Sequence, residues 1–278
     1  ERAEKTNSGG VMVAFVATPI GNLKDITLRA IETLKEADVV FCEDTRHTLG
    51  LLNAYEIKKP LFACHKFNER EAAEKILALS REGKKVAVVS DAGTPVVSDP
   101  GNLVCRTLRE AGEAYTLIPG PAAFVAALVL SSLPADRFAF LGFLPDKGKE
   151  RKAVLEKYAA LDMTLIFHAA PQDVDGYIRD MFSAFGDRRA AAVREITKIH
   201  EESVLFRLSE GLSGEKRGEY VLVVEGAKEG ENPLNALPER EHILHYMRAG
   251  LDKKEALKRA ARDRGVSKSE LYPFSVDL

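Results

Sequence analysis

Val86-Ala87-Val88-Val89-Ser90-Asp91-Ala92-Gly93-Thr94-Pro95, with Ser98-Asp99-Pro100-Gly101 close behind, is the stretch whose reading decides the fold class. Its apolar, mostly β-branched run reads as a buried strand, and small turn-forming residues follow at once. The same unit recurs to either side. Short apolar runs at 11–17, 39–42, 61–64, 86–90 and 115–118 alternate with stretches of helical period. Leu28, Ile31 and Leu34 share one helical face, as do Ile76 and Leu79, with Leu103, Leu108 and Ala111 as a looser set. Strand and helix in alternation predict βα units on a mainly parallel sheet, an α/β fold. Pro119-Gly120-Pro121 then opens a buried helix over 122–132, which Leu133-Pro134 ends.

A second unit begins near Asp136, with strand-like runs at 137–141, 164–167, 190–194, 203–208 and 219–224. A helix at 173–185 and a charged helix after the loop 145–149 accompany them. The closely spaced last strands predict a mixed or antiparallel sheet. The expected organisation is a polar, flexible extension at 1–10, an N-terminal α/β domain at 11–121 and a C-terminal α/β domain at 122–226. A linker at 227–238 and a small helical module at 239–278 complete it.

Composition narrows the classes further. The chain has 278 residues, 45% hydrophobic and 29% charged, which excludes fibrous and disordered proteins. The longest apolar run, 122–130, is nine residues against the ~20 that span a bilayer. With no apolar leader segment either, a cytoplasmic protein without membrane association is expected. Three cysteines, Cys42, Cys64 and Cys105, without Cys-x-x-Cys spacing argue against disulfides and structural zinc. A net charge of −2 gives no global pull toward nucleic acid, so such a partner must meet local patches.

Ligands of open parallel sheets bind beyond the carboxyl ends of the strands. Five loops fall there: 18–22, 43–47, 65–69, 91–101 and 119–123. Three are rich in Gly, Pro and small residues, which lets the backbone approach a ligand closely. The other two are charged. A cofactor held mainly by backbone on one side, and a polar substrate met by Arg46, His65, Asn68 and Glu69 on the other, follow from that division. Neither a dinucleotide fingerprint nor a phosphate-binding loop motif is present.

The blocks Val16 to Leu23 (VATPIGNL), Cys42 to Thr48 (CEDTRHT), Ser90 to Pro95 (SDAGTP) with Ser98 to Gly101 (SDPG), Ile118 to Pro121 (IPGP) and Arg194 to Lys198 (REITK) resemble the signature blocks of the RsmI family. That family comprises small-subunit ribosomal RNA methyltransferases acting on a cytidine ribose 2′-oxygen, within the tetrapyrrole-methylase superfamily. The resemblance implies a two-domain tetrapyrrole-methylase-like fold, a homodimer, and S-adenosylmethionine held between the domains. It puts Ile20, Asp91, Gly93, Thr94, Val97, Ala122 and His168 on the cofactor, with no metal. Arg46, His65, Asn68, Arg194 and Glu195 fall on the RNA side, and Glu69 and Lys198, with Glu195 and Asp44 behind them, are the catalytic expectations, because a ribose hydroxyl must lose a proton. The chain departs from the family where His168-Ala169-Ala170-Pro171-Gln172-Asp173 replaces a Tyr-Glu-Ser-Pro-His-Arg block, where Ala122 replaces a serine, and at Asp146, where a basic residue is usual.

The C-terminal module carries a second signal. Residues 251–268 hold seven basic residues against three acidic, a local +4. Ala256, Leu257, Ala260 and Ala261 form an apolar stripe, Gly265 breaks the helix, and Ser267 with Glu270 has capping-box spacing. Helix-turn-helix spacing of this kind serves an RNA-gripping module through Lys253, Lys254, Lys258, Arg259 and Arg262, or a docked hairpin with a solvated basic face. His242 and His245 read as packing or solvent-facing side chains rather than metal ligands. Two other functions compete with the ribosomal RNA reading. One is methylation of a tetrapyrrole; the other is a catalytically weak protein that keeps cofactor or ribosome affinity.

Overall fold

The computed structural model describes residues 11–227 and 233–278. The extension expected at 1–10, and residues 228–232 of the expected linker, lie outside the described residues. The chain divides into two compact units, one of residues up to 123 together with Ile196–Lys198, the other of Phe124–Glu195 and Ile199–Leu278.

The first unit contains β1 (Val13–Val16), α1 (Leu28–Glu36), β2 (Val39–Cys42), α2 (Thr45–Ala54), β3 (Leu61–Ala63), α3 (Glu69–Arg81), β4 (Val86–Val89), α4 (Asn102–Glu110) and β5 (Tyr115–Ile118). Its sheet runs β3-β2-β4-β1-β5 with every pair parallel, Val13 standing between Val86 and Tyr115. The crossovers send α1 and α2 to one face and α3 and α4 to the other. Ala14, Val16, Val40 and Val89 pack with Ala30, Leu34 and Leu52. Phe15, Phe41 and Val88 pack with Ile76, Val104 and Leu108 on the opposite side. Burial on both faces is why β1, β2 and β4 read as unbroken apolar runs.

Two helical faces differ from expectation. Leu28 is 80% exposed, and α1 buries Ala30 and Leu34 instead, because the core face is the i, i+4 row and Leu28 lies off it. The buried row of α4 is Val104 and Leu108 rather than one running through Leu103.

The second unit opens with α5 (Ala123–Leu130), followed by β6 (Phe138–Phe143), α6 (Gly148–Tyr158), β7 (Thr164–Ala169), α7 (Val174–Phe185), β8 (Arg189–Arg194), β9 (Glu202–Arg207) and β10 (Tyr220–Val224). The sheet order is β6-β7-β10-β8-β9, parallel for β6 and β7 and antiparallel elsewhere, the mixed sheet expected. Phe167, Tyr220 and Leu222 meet Leu155, Tyr177, Met181 and Phe185 in its core. α5 is not the buried helix expected. It buries Ala127 and Leu128 but leaves Val125 45% and Val129 73% exposed, since only one side of this uniformly apolar helix is covered.

The chain closes with α8 (Glu239–Arg248), α9 (Lys253–Arg264) and α10 (Lys268–Leu271) around Ile243, Tyr246, Ala256, Leu257, Ala260 and Leu271. Gly265 ends α9 at φ 65°, and Ser267 and Glu270 form the anticipated capping box. His242 is fully buried, accepting from Arg264 Nε at 3.2 Å and lying 3.3 Å from Asp263 Oδ2. Lys254, Lys258, Arg259 and Arg262 are exposed, whereas Lys253 departs from the expected phosphate-facing set. Its Nζ donates to the carbonyls of Val276 (3.5 Å) and Leu278 (3.3 Å). Among the described residues no helix is long and apolar enough to cross a membrane.

Candidate active site

At the carboxyl edge of the first sheet, β4 sends its chain to the face opposite that chosen by its neighbours β1 and β2. Such divergence opens a crevice at the strand ends. Here the crevice edge is tied by backbone. Thr18 N donates to Gly93 O at 2.9 Å and Gly93 N to Thr18 O at 3.1 Å, while Ala17 N reaches Ile118 O at 3.1 Å. Thr18 Oγ1 donates to Ser90 O at 3.2 Å, and Thr94 Oγ1 to Pro121 O at 3.2 Å. The three small-residue loops thus form one connected shelf. Gly93 sits at φ 79°, and a Cβ there would lie 3.2 Å from Ile20 Cγ2 and 3.6 Å from Pro121 O. A side chain would fill the shelf, so this position requires glycine twice over.

The loop from Gly93 to Gly101 is strained. Val96 (φ 76°) and Ser98 (φ 67°) occupy the left-handed region, which a β-branched residue rarely enters. Strain of this kind persists where surrounding contacts enforce it and concentrates at binding sites. One of those contacts is Glu69, whose Oε1 accepts from Gly101 N and Leu103 N, both at 2.8 Å. Its carboxylate therefore caps α4.

The charged loops are built as closely. Asp91 Oδ1 accepts from Asp44 N at 3.0 Å, pinning the start of α2 to the β4 loop. Asp44 caps α2 through Arg46 N and pairs with the Arg46 guanidinium at 2.7 Å; these hydrogen bonds hold its pKa down at about 2. The Arg46 side chain remains 88% exposed. Asn68 Oδ1 accepts from His65 N at 2.8 Å and its Nδ2 donates to Ala63 O at 3.0 Å, closing the turn after β3. His65 Nδ1 is buried without a hydrogen-bond partner. Asp99 is pushed up to about 6, first by burial and then by the charges of Glu43 and Asp91, against a hydrogen bond from Ser90. Glu43 is raised by burial and by Asp91. The sequence displayed Asp99 only as a turn residue; its electrostatic setting depends on Glu43, 56 positions earlier in the chain.

Of the remaining expected residues, Ile20, Thr94, Val97 and Ala122 belong to the first unit, Val97 being 40% exposed. Lys198 joins that unit through the segment Ile196–Lys198. A Cβ on Gly21 would fall 2.7 Å from Lys198 Cγ and 2.9 Å from Thr197 Oγ1, and Asn22 N donates to Thr197 Oγ1 at 3.0 Å. Glycine at 21 is what lets this segment lie against the loop after β1.

The second unit holds His168, Arg194 and Glu195. His168 Nε2 is buried and unpartnered, with the rings of Phe140 and Phe143 at 5.0 and 5.2 Å; burial lowers its pKa and favours the neutral imidazole. Arg194 Nε donates to Glu202 Oε2 at 2.6 Å across the β8–β9 pair. Glu195, at φ 49°, accepts from Glu219 N at 3.2 Å. Among the described residues no group of three or more potential ligands is placed to hold a metal ion. Burial raises the thiols of Cys42 and Cys64, the latter to about 11, which leaves them weak nucleophiles.

Comparison with known proteins bears on this arrangement. Residues 12–212 match the model of the tetrapyrrole (corrin/porphyrin) methylases. The chain is 41% identical over 267 residues to ribosomal RNA small subunit methyltransferase I of Halalkalibacterium halodurans, covering 93% of this chain and 92% of that protein. It is 41% identical over 280 residues to the Escherichia coli O157:H7 protein of the same name, covering 98% and 96%. Among solved structures it is similar to uroporphyrin-III C-methyltransferase from Thermus thermophilus in complex with S-adenyl homocysteine. That similarity has a TM-score of 0.54 at 22% identity, over 76% of this chain and 96% of the other.

Proposed function

Because the chain belongs to the tetrapyrrole methylase family, a family of methyltransferases, and is akin within it to the small-subunit ribosomal RNA methyltransferases I, we propose that it methylates the ribose 2′-oxygen of a cytidine in 16S ribosomal RNA. The observation that carries the reading is the backbone-tied shelf at Thr18, Gly93 and Pro121, beside a rim bearing the exposed Arg46.

One feature of the first unit fits S-adenosylmethionine: the space at Gly93 that a Cβ would fill. Ile20, Asp91, Gly93, Thr94, Val97 and Ala122, with His168, are the residues assigned to it. When bound, this cofactor supplies a methyl group on a sulfonium centre, open to in-line displacement by an oxygen nucleophile. The protein's part is to align that oxygen and take up its proton. Glu69, spent on capping α4, is assigned a positioning role in place of the base. Lys198 keeps the proton-accepting or charge-balancing role, and Arg46, His65, Asn68, Arg194 and Glu195 serve the RNA. The exposed basic side chains of α9 add sequence-independent affinity for phosphates. They favour RNA over a tetrapyrrole, which offers no extended phosphate chain. A homodimer is part of this reading, with the exposed apolar side chains of α5, Val125 and Val129, available to a second copy.

The test is transfer of labelled methyl from S-adenosylmethionine to small ribosomal subunits lacking the modification, with the label mapped within the RNA. Label on a cytidine ribose is expected. Label on a base, on a tetrapyrrole offered in parallel, or nowhere would overturn the reading.

A further inference from the structure

Phe67 is 85% exposed, more than any other aromatic residue among those described. It stands at the tip of the turn after β3, which is held rigidly. Asn68 N donates to His65 O at 3.0 Å, and the Asn68 side chain bonds back to His65 N and Ala63 O. Immediately after, Glu69 is anchored on the amides of α4. A large apolar ring is therefore presented to solvent by a preorganised backbone, at the same strand-end rim as Arg46. Water does not reward that display, whereas a flat π-surface would.

The neighbours specify which. Lys66 Nζ lies 5.0 Å from the Phe67 ring centroid, the His65 ring lies 6.0 Å away edge-on, and Lys66 and Arg70 are themselves exposed. Three of the rim's carboxylates are engaged within the protein: Asp44 with Arg46, Glu69 with α4, and Asp91 with Asp44 N. A phenyl ring beside exposed cations matches one nucleotide, base to ring and phosphate to ammonium. We propose that Phe67 is a stacking platform for an unpaired nucleobase of the RNA substrate, holding a nucleotide at or next to the methylated one. The proposal rests on the ribosomal RNA reading. A protein contact, including a second copy of this chain, is the competing occupant.

The chain contains no tryptophan, so Phe67→Trp creates a single indole reporter at the tip itself. Titrating this variant with an unmodified small-subunit RNA fragment should quench its fluorescence. Phe67→Ala should raise KM for the RNA by about 5- to 100-fold, the range measured for loss of one aromatic–base stack, with kcat changed far less. Phe67→Leu, which keeps apolar bulk without a π-face, should resemble the alanine variant. Because stacking releases no counterions, Phe67→Ala should leave the slope of log affinity against log salt unchanged, whereas Lys66→Ala should reduce it by about one unit. An unquenched indole under conditions where methyl transfer proceeds, or a wild-type KM in Phe67→Ala, would overturn the proposal. So would a shift in oligomeric state with RNA affinity intact. Failure of the wild-type protein to methylate the RNA is a separate result, and it would remove the functional reading itself.

Discussion

Replacing Asp99 by Asn should stabilise the protein at neutral pH while damaging its activity. In the native state the Asp99 carboxyl titrates at about 6 instead of 3.8, because burial and the nearby Glu43 and Asp91 penalise its charged form. A native pKa above the unfolded one means that the folded state binds the proton more tightly. Stability is then undiminished below about pH 4, falls as pH rises toward 6, and stays reduced above that. A shift of this size corresponds to about 3 kcal/mol at most, and partial solvent screening brings the realistic figure to about 1–2 kcal/mol. Asn keeps the shape and the ability to bond Ser90 but never carries the charge. The variant should therefore melt about 2–8 °C higher at pH 7.5 and no higher at pH 3.5, as read by calorimetry at both pH values. Methyl transfer should fall, since groups held in an unfavourable protonation environment concentrate at functional sites. A variant less stable than wild type at pH 7.5, or a gain equal at both pH values, would refute this account of the Asp99 environment.

Other outcomes are open to measurement. Gly93→Leu should remain folded yet bind S-adenosylmethionine about tenfold or more weakly by titration calorimetry, because its side chain must enter the space beside Ile20 from a left-handed backbone. Glu69→Ala should cost about 1–2 kcal/mol in denaturant unfolding by uncapping α4, while cofactor affinity changes little. Neutralising Lys254, Lys258, Arg259 and Arg262 together should lower the salt dependence of ribosomal-subunit binding by roughly one unit for each phosphate that these side chains engage. Lys253→Ala should leave that slope unchanged, since its ammonium is engaged with the carbonyls of Val276 and Leu278.

The sequence by itself determined what is local and periodic. The β1, β2 and β4 runs, the capping box of Ser267 and Glu270, the glycine stop at 265 and the mixed character of the second sheet were all legible in it. Each depends on residues a few positions apart, whose backbone preferences act without the rest of the chain. The five strand-end loops were legible as a group for the same reason. Tertiary structure alone decided which side chains remain available for chemistry. Glu69 reads as a free carboxylate until α4, 33 positions further on, brings its first amides to it. Leu28 reads as core until the sheet selects Ala30 and Leu34. Asp99 reads as a turn residue until Glu43 and Asp91 are folded around it. Coulomb energy, desolvation and hydrogen bonding depend on distances through space, and folding sets those distances independently of separation along the chain.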